Sequence, residues 1–364
     1  MPAKPPFRAD HVGSLLRPQE LHEARARAER GEISAQALKD VEDRAIRDVV
    51  KFQESVGLQS ITDGEFRRGW WHLDFLCGFE GVELHREAYA VKFSGTEQPL
   101  TMRLTGPIRR AHPIMVDHFT FLKNATSRTA KFCIPSPAML HLRGQHASIR
   151  AVYPDLDRFW ADLTAAYREE IRALGAAGCT YLQIDDTSVS NLCDERIRAQ
   201  MRADGDDPDR LPAMYARAIN EALRDRPAGM TVTMHTCRGN FISTWMASGG
   251  YDPVAETVFN QIQVDGFFLE YDTERAGSFE PLRFMPRGKK VVLGLVSSKF
   301  PELESKDALK RRIEAASRYV PLEELCLSPQ CGFSSTHHGN KITVDDQRRK
   351  LELVVEVARE VWGQ

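Results

Sequence analysis

Short apolar runs recur along the chain, and most of them are followed by a segment with helical periodicity. The runs are rich in Val, Ile, Leu, Phe or Tyr and have the length of buried β-strands. We place eight of them, at residues 7–14, 59–65, 130–136, 180–186, 231–237, 266–272, 290–297 and 325–331.

The segments between these runs predict helices. Ser34 suits an N-cap before a helix through Val49 and Val50, and Thr343 with Asp346 has capping-box spacing before the last helix. From residue 156 onward the apolar positions keep to one helical face: Trp160, Leu163, Tyr167, Ile171 and Leu174.

Strands that alternate with helices indicate an α/β fold with parallel pairing and right-handed crossovers. Eight such units close into a (β/α)₈ TIM barrel, which is the fold we predict. A doubly wound open sheet is the alternative.

Residues 78–109 break this alternation. Their stretches VELHREAYAVKFSG and PLTMRLTGPI predict an antiparallel excursion inserted after the second strand. We expect the excursion to carry a lid or a contact for a homo-oligomer. The chain shows no repeat, low-complexity tract or linker, so residues 1–364 are predicted to form a single barrel domain.

Composition narrows the class of protein. The chain has 364 residues, of which 42% are hydrophobic and 27% charged, and these values exclude a disordered or collagen-like protein. Lys and Arg number 49 against 51 Asp and Glu, and this balance argues against a nucleic-acid partner. No apolar run approaches the roughly 20 residues that span a bilayer, and the N-terminus lacks the apolar stretch of a secretory signal. We therefore expect a cytoplasmic protein with no membrane contact.

Seven cysteines are scattered through the chain. An odd number without a secretory signal does not predict a disulfide framework. Most of the seven are expected to be small buried hydrophobic residues, and Cys326 is assigned to the core.

Polar side chains follow the predicted strands at their C-terminal ends, where barrel active sites are built. Loop formation would explain Asp and Ser there, but not a His, two Cys and a Glu confined to three strand ends. The residues at these ends are Ser14, Asp63, Glu65, Ser136, Asp185, Asp186, His235, Cys237, Glu270, Asp272, Ser297, Lys299 and Cys331.

His235 and Cys237 are two residues apart on a predicted strand, so their side chains project from the same face. With Glu270 and Cys331 they offer one imidazole nitrogen, one carboxylate oxygen and two thiolate sulfurs. That donor set suits tetrahedral zinc. A His-x-Cys pair taken alone is a weak signal, and a buried His and Cys in the core is the other interpretation of it.

Several segments together resemble cobalamin-independent methionine synthase. They are HTCRGNF, FFLEYD and CLSPQCGFSST, with an early HVGS and a DGEFRR. The similarity is to the catalytic C-terminal barrel of that family and runs from about Val12 to the final helix. The resemblance implies that His235, Cys237, Glu270 and Cys331 bind a catalytic Zn²⁺.

The resemblance also implies a pocket for an amino acid. Val12, Gly13 and Ser14 match the family's loop for the homocysteine carboxylate, and Glu65 and Asp185 match its two acidic residues. Two carboxylates suit the ammonium of a zwitterionic substrate, and backbone N–H groups suit its carboxylate.

A salt bridge at the barrel rim, made with Arg67 or Arg68, is the alternative interpretation of Glu65 and Asp185. The pair His337–His338 is interpreted as part of a polar rim loop near the site, rather than as further ligands or substrate contacts.

The implied reaction is methyl transfer to the thiol of homocysteine, which forms methionine. A free thiol has a pKa of about 8.5, and zinc binding converts it to the nucleophilic thiolate. The partners are therefore a small-molecule thiol and a methyl donor. Alternatives are a zinc-dependent alkyltransferase to another thiol, such as an epoxyalkane:coenzyme M transferase, and a non-catalytic protein with a structural zinc. A decarboxylase related to uroporphyrinogen decarboxylase is a more distant alternative.

Two features depart from the family pattern. Lys299, which we assign a catalytic role together with Asp185, stands where the family has a catalytic histidine. The tryptophan that stacks the folate ring is missing near Ser136, and Trp70 or Trp71 could replace it. The family's N-terminal barrel is also missing from this chain. Methyltetrahydrofolate, a methylated corrinoid protein and a small sulfonium compound therefore all stay open as the donor.

Overall fold

The computed structural model describes residues 4–85 and 100–363, and it shows an α/β fold. The strands are β1 (Ser60–Ile61), β2 (Glu80–His85), β3 (Thr101–Arg109), β4 (Thr129–Pro135), β5 (Tyr181–Asp186), β6 (Thr231–Thr236), β7 (Gly266–Glu270), β8 (Lys290–Val296) and β9 (Leu325–Pro329). The helices are α1 (Gln19–Glu29), α2 (Ala35–Val56), α3 (Leu73–Leu76), α4 (Val116–Ala125), α5 (Ala138–Arg143), α6 (His146–Val152), α7 (Leu156–Ala176), α8 (Ser188–Asn191), α9 (Glu195–Ala203), α10 (Leu211–Leu223), α11 (Ala255–Gln261), α12 (Lys306–Ser317) and α13 (Val344–Trp362).

Seven strands form one parallel sheet in the order β1-β4-β5-β6-β7-β8-β9. The order follows the chain without reversal. A doubly wound sheet reverses its strand order at a switch point, so that alternative is excluded. Since all seven strands run in the same direction, their C-terminal ends meet at one edge of the sheet.

The predicted first strand, residues 7–14, joins the sheet by a single parallel bridge between Ala9 and Leu327. On its other side it meets β1 through side chains. The Ser60 hydroxyl donates to Asp10 at 2.7 Å, and the His11 ring contacts the Ser60 carbonyl at 3.1 Å. Because this one segment contacts both edge strands, the sheet must curl around it. The backbone ladder of the predicted eight-stranded barrel is interrupted here, where the Asp10 side chain takes the place of backbone pairing.

The predicted second strand, residues 59–65, is in the ladder only at Ser60 and Ile61. The side-chain amide of Gln53 accepts from Thr62 N at 2.9 Å and donates to Thr62 O at 2.8 Å, so it replaces the next pair of strand hydrogen bonds. The chain then turns, with positive φ angles of 66° at Gly64 and 61° at Glu65. This early turn brings Glu65 to the edge where the strands end.

The predicted excursion at 78–109 contains an antiparallel pair, β2 and β3, with Val82 opposite Leu104 and Leu84 opposite Met102. Residues 86–99 of the excursion lie outside the described residues. The described part of it packs against α6 and α7. The Tyr153 hydroxyl accepts from Ile108 N at 2.7 Å, which fixes β3 to the end of α6.

The predicted helix caps are confirmed. Ser34 Oγ accepts from Ala37 N at the start of α2, and Thr343 and Asp346 form a reciprocal capping box at the start of α13. The predicted apolar face is confirmed in α7, where Leu163, Tyr167, Ile171 and Leu174 are buried. Across residues 4–85 and 100–363, no helix has the length and apolar character that crossing a bilayer requires.

Candidate active site

Three of the four predicted metal ligands lie together at the C-terminal edge of the sheet. His235 is near the end of β6, Cys237 follows that strand, and Cys331 follows β9. One ring nitrogen of His235 and the two sulfurs lie within 4.8 Å of one another. The sulfurs of Cys237 and Cys331 are 3.2 Å apart, and all three residues are buried.

Backbone contacts hold these residues in place. Cys237 N donates to Asp186 O at 2.8 Å, which extends the pairing of β5 and β6 past the last strand residue. Gln330 N donates to Val296 O at 2.8 Å, and the Gln330 side chain accepts from both N and Oγ of Ser298. The positions of the cysteines are therefore set by the strands before them.

The three-residue cluster has the chemistry of a zinc site. Within the described residues, the only group that acts as a partner of the buried His235 ring is Cys331, itself a predicted ligand, so the ring can turn a nitrogen to a metal. Two thiolates on tetrahedral zinc stand about 3.8 Å apart, given zinc–sulfur bonds of about 2.3 Å. The sulfurs of Cys237 and Cys331, now 3.2 Å apart, would have to separate by about 0.6 Å to hold an ion.

The two sulfurs differ in charge. The hydrogen bond from the Cys237 thiol and the neighbouring His235 and Lys299 lower the pKa of Cys331 well below its usual value, against the effect of burial. The pKa of Cys237 is raised, first by that same hydrogen bond and then by burial. Cys331 is thus the residue of the pair that ionises readily and offers a thiolate.

Glu270, the fourth predicted ligand, is not in the three-residue cluster. Its carboxylate accepts from Arg238 N at 2.9 Å and forms an ion pair with Arg275. Burial raises the pKa of Glu270, but the positive charges of Lys299, Arg275 and Arg238 outweigh it and lower the pKa below its usual value. Glu270 is therefore an ionised carboxylate beside the cluster, and its role as a ligand stays a prediction.

Lys299 follows β8 and is 1% exposed. Its ammonium has no hydrogen-bond partner in the described part of the chain. Its charge acts on Glu270, Asp272 and both site cysteines. An unpaired buried ammonium is costly in free energy, and the negative groups around Lys299 offset that cost.

The predicted acidic pair is also assembled. One carboxylate oxygen each of Glu65 and Asp185 lies within 4.8 Å of the other and of the Cys133 sulfur. Burial raises the pKa of Glu65 to about 8, and the charge of Asp185 adds to that rise. Burial raises the pKa of Asp185 to about 6, although Gln183 donates to its carboxylate at 2.7 Å.

Arg67 and Arg68, the alternative salt-bridge partners of the acidic pair, do not form a close ion pair with it. Arg67 pairs with Glu42 and Asp43, away from the acidic pair. Arg68 Nη1 lies 3.8 Å from Glu65 Oε1, too far for a hydrogen bond. Within the described residues Glu65 Oε2 has no partner, so a rim salt bridge does not satisfy this carboxyl group.

The loop of residues 12–14 lies between the cysteine cluster and the acidic pair. The Val12 carbonyl accepts from Gln183 Nε2 at 2.6 Å, and Ser14 O accepts from Phe333 N at 2.9 Å. Gly13 has a φ of 139°, which side-chain-bearing residues rarely adopt, and a Cβ there would lie 2.7 Å from Cys133 Sγ. Glycine at this position lets the loop lie against β4.

One cavity, partly open to solvent, joins the two groups. The predicted residues on its wall are Val12, Ser14, Glu65, Asp185, His235, Cys237 and Cys331. Gly13, Glu270 and Lys299 are not on the wall. The structure therefore brings the sulfur cluster and the carboxyl pair to one cavity and places Lys299 and Glu270 behind it.

Aromatic side chains line part of the cavity. The rings of Trp70 and Phe241 are stacked, with centroids 5.8 Å apart and planes at 13°, and His338 packs edge-on against both. Phe241 was missed in the sequence, although it lies in the same HTCRGNF segment as the predicted ligands His235 and Cys237. Trp71 is on the cavity wall as well.

Arg17 was also missed. Its guanidinium donates to the carbonyls of Glu65, Arg68, Ser334 and Thr336, at 2.8–3.2 Å. These bonds hold the Glu65 turn to the loop that follows Cys331. The apolar run around Leu15 and Leu16 gave no signal for this role.

The chain is similar to known proteins over nearly its whole length. Residues 7–360 match the model of the family described as "Cobalamin-independent synthase, Catalytic domain". The uncharacterised protein YxjH of Bacillus subtilis is 48% identical over 362 residues, which cover 99% of this chain and 96% of YxjH.

Two solved structures are similar in fold. A Listeria monocytogenes protein, described as a candidate vitamin-B12-independent methionine synthase, is 43% identical, with a TM-score of 0.79 and 99% of each chain covered. A B12-independent methionine synthase from Shewanella sp. W3-18-1, in complex with selenomethionine, is 19% identical, with a TM-score of 0.75 and 97% of each chain covered.

Proposed function

The chain belongs to the cobalamin-independent methionine synthase family, and we propose that it is a zinc-dependent methyltransferase that converts homocysteine to methionine. The observation that carries the proposal is the single cavity that has a His–Cys–Cys cluster at one end and two protonatable carboxyl groups at the other. A substrate with a thiol and an ammonium group at its two ends matches both.

We propose that His235, Cys237 and Cys331 hold the zinc, with Glu270 as the fourth residue of the site. Bound zinc would ionise the substrate thiol and keep it nucleophilic. Glu270 would reach the ion by exchanging its contact with Arg275 for a metal bond. Arg275 and Lys299 would then balance the negative charge that the two sulfurs and the carboxylate bring together.

Glu65 and Asp185 are proposed to bind the substrate ammonium. Their pKa values of about 8 and about 6 mean that the buried pair holds about one proton at neutral pH, mainly on Glu65. An arriving ammonium stabilises the ionised carboxylates, so it replaces that proton. Val12, Gly13 and Ser14 would hold the substrate carboxylate beside them. Asp185, which is opposite His235 on the neighbouring strand, would orient the substrate toward the sulfur cluster.

Lys299 is assigned an electrostatic role in catalysis. Because it lies behind the cavity wall, it acts through its charge on the cysteines and Glu270 rather than by contact with substrate. The stacked Trp70 and Phe241 are proposed to receive a flat donor such as methyltetrahydrofolate. The same proposal includes a sheet that closes into a complete (β/α)₈ barrel, a single domain over residues 1–364 and a cytoplasmic location.

The test is a calorimetric titration of the zinc-loaded protein with homocysteine, in two buffers of different ionisation enthalpy. The proposal expects binding with about one proton released by the thiol, added to any proton that leaves the carboxyl pair. The E65Q variant should bind homocysteine about 10- to 100-fold more weakly, because a charge-assisted hydrogen bond is lost. E29Q, which changes an exposed carboxylate on α1, should bind as the unchanged protein does.

Coenzyme M, a thiol without an ammonium group, is the matched ligand. Weak binding of coenzyme M that is unaffected by E65Q would agree with the proposal. Absence of homocysteine binding, with zinc confirmed in the protein, would refute homocysteine as the acceptor.

A further inference from the structure

A second group of metal-ligating side chains lies outside the central cavity. His141 is in α5, His146 is the first residue of α6, and Asp206 lies in the turn between α9 and α10. One ring nitrogen of each histidine and one carboxylate oxygen of Asp206 lie within 4.8 Å of one another. The proposed methyl transfer uses none of the three.

The hydrogen bonds of His146 determine which of its nitrogens is free. Nε2 lies 3.0 Å from the carbonyl of His141, which can only accept, so Nε2 carries the hydrogen. On the neutral ring the lone pair is then on Nδ1, which lies 3.7 Å from Asp206 Oδ2. A lone pair facing a carboxylate is repulsive, and a cation between the two atoms would remove the repulsion.

His141 is arranged in the same way. Its Nδ1 is 3.0 Å from the Tyr215 hydroxyl, and Nε2 makes no hydrogen bond within the described residues. Metal-bound histidines generally engage their second nitrogen with a carbonyl, carboxylate or other polar partner, which fixes the ring. Both histidines here have that partner. His141 is 4% exposed and lines a surface cavity, from which an ion could reach it.

The distances fit a small divalent ion. Two ligands about 2.1 Å from a tetrahedral ion stand about 3.4 Å apart, and two coordinated imidazole rings have centres about 5 Å apart. The observed values are 3.7 Å between His146 Nδ1 and Asp206 Oδ2, and 4.9 Å between the two ring centroids. Shifts of a few tenths of an ångström would complete the coordination.

We propose that His141, His146 and Asp206 form a second metal site, which takes Zn²⁺ or a similar divalent transition-metal ion and leaves a coordination position for water. The donor set is two imidazoles and a carboxylate, without sulfur, so the site is chemically distinct from the central one. An ion there would join α5 and α6 to the α9–α10 turn, so it would stabilise that side of the fold.

The positive charge of Arg150 disfavours a cation at this site. Arg150 lines one surface cavity together with His141, His146 and Asp206, and its charge acts on both His141 and Asp206. Removal of this charge should therefore tighten metal binding, whereas removal of a ligand should weaken it. These opposite expectations separate a built site from non-specific binding to surface histidines.

The experiment is a Co²⁺ titration of the full-length protein after removal of bound metal, followed by visible and near-ultraviolet absorption. Co²⁺ on the central cysteines gives a sulfur-to-metal charge-transfer band, and Co²⁺ on the second site gives visible bands without it. We expect two equivalents in the unchanged protein. H146A and D206N should lose the sulfur-free equivalent and keep the other, and R150Q should bind it about 2- to 10-fold more tightly.

H112A, which removes an exposed histidine, should keep both equivalents. The double variant C237S/C331S should keep only the sulfur-free equivalent, and Zn²⁺ should raise its melting temperature. The proposal is overturned if only one equivalent binds, if the second survives both H146A and D206N, or if R150Q weakens it. D206N preserves side-chain shape and so gives the result if H146A fails to fold.

Discussion

The buried carboxyl pair makes stability depend on pH in an unusual direction. Burial first, and the charge of Asp185 in addition, raise the pKa of Glu65 from 4.5 to about 8. Between these two values the folded protein binds more protons than the unfolded chain. The contribution of Glu65 to the free energy of unfolding therefore falls as pH rises from about 4.5 to about 8. A carboxylate that is ion-paired in the folded state gives the opposite slope.

The E65Q variant isolates this effect, because glutamine has the shape of the protonated residue and does not titrate. A rise in pKa from 4.5 to about 8 corresponds to at most roughly 5 kcal/mol, at about 1.4 kcal/mol for each pKa unit. E65Q should therefore match the unchanged protein near pH 4.5 and exceed its stability by up to roughly 3 kcal/mol at pH 7. The gain will be smaller if Asp185 accepts part of the proton that Glu65 gives up.

The assay is urea unfolding of the zinc-loaded protein at pH values from 5 to 8.5, with the E29Q variant as a control. The difference in unfolding free energy between E65Q and the unchanged protein should grow steadily with pH, and E29Q should show no such trend. A difference that is constant with pH, or that favours the unchanged protein at pH 8, would show that Glu65 is ionised in the folded state. The assignment of a protonated pair would then be wrong.

Three other perturbations test the remaining parts of the cavity. C331S should weaken zinc binding at least about 100-fold, because loss of a ligand costs more than the 10- to 100-fold effect of losing a residue that supports a ligand. Competition with a chelator measures the affinity, and an unchanged value would contradict the assignment of Cys331 as a ligand. K299M should lower kcat by about 10- to 100-fold at full zinc occupancy and leave the KM for homocysteine nearly unchanged, whereas a change in KM alone would indicate substrate contact. F241A should raise the KM for methyltetrahydrofolate several-fold without changing homocysteine affinity in calorimetry, and an equal effect on both would refute the donor platform.

The sequence predicted those strands and helices that a local pattern determines, such as an apolar run or a capping residue. The strands from β4 to β9 are continuous apolar runs, and the caps of α2 and α13 follow from Ser34, Thr343 and Asp346. The first two runs behaved differently because side chains replace backbone pairing there. The side chains of Asp10 and Gln53 supply hydrogen bonds that backbone pairing between strands would otherwise make. The hydrophobic pattern of the sequence does not indicate where a side chain will replace backbone pairing in this way.

The candidate site was predictable to the extent that strand ends determine it. His235 and Cys331 are fixed by the strands that precede them, so the sequence placed them at one edge. The partner of Glu270 could not be predicted, because Arg275 reaches it across a turn whose shape depends on tertiary packing. Arg17 was missed for a similar reason, since its partners are about 50 and 320 residues away in the chain.

The two ends of the cavity differ in the positively charged group that each is suited to bind. At one end, Lys299 and the Cys237 thiol favour the thiolate of Cys331, so this end presents negative charge suited to a metal cation. At the other end, burial leaves Glu65 and Asp185 with about one proton between them at neutral pH, mainly on Glu65, so this end is suited to an ammonium. A histidine in place of Lys299 would be partly neutral at pH 7, whereas lysine ordinarily keeps its charge. The lysine therefore favours thiolate formation over proton transfer, which agrees with a reaction whose first requirement is a nucleophilic sulfur.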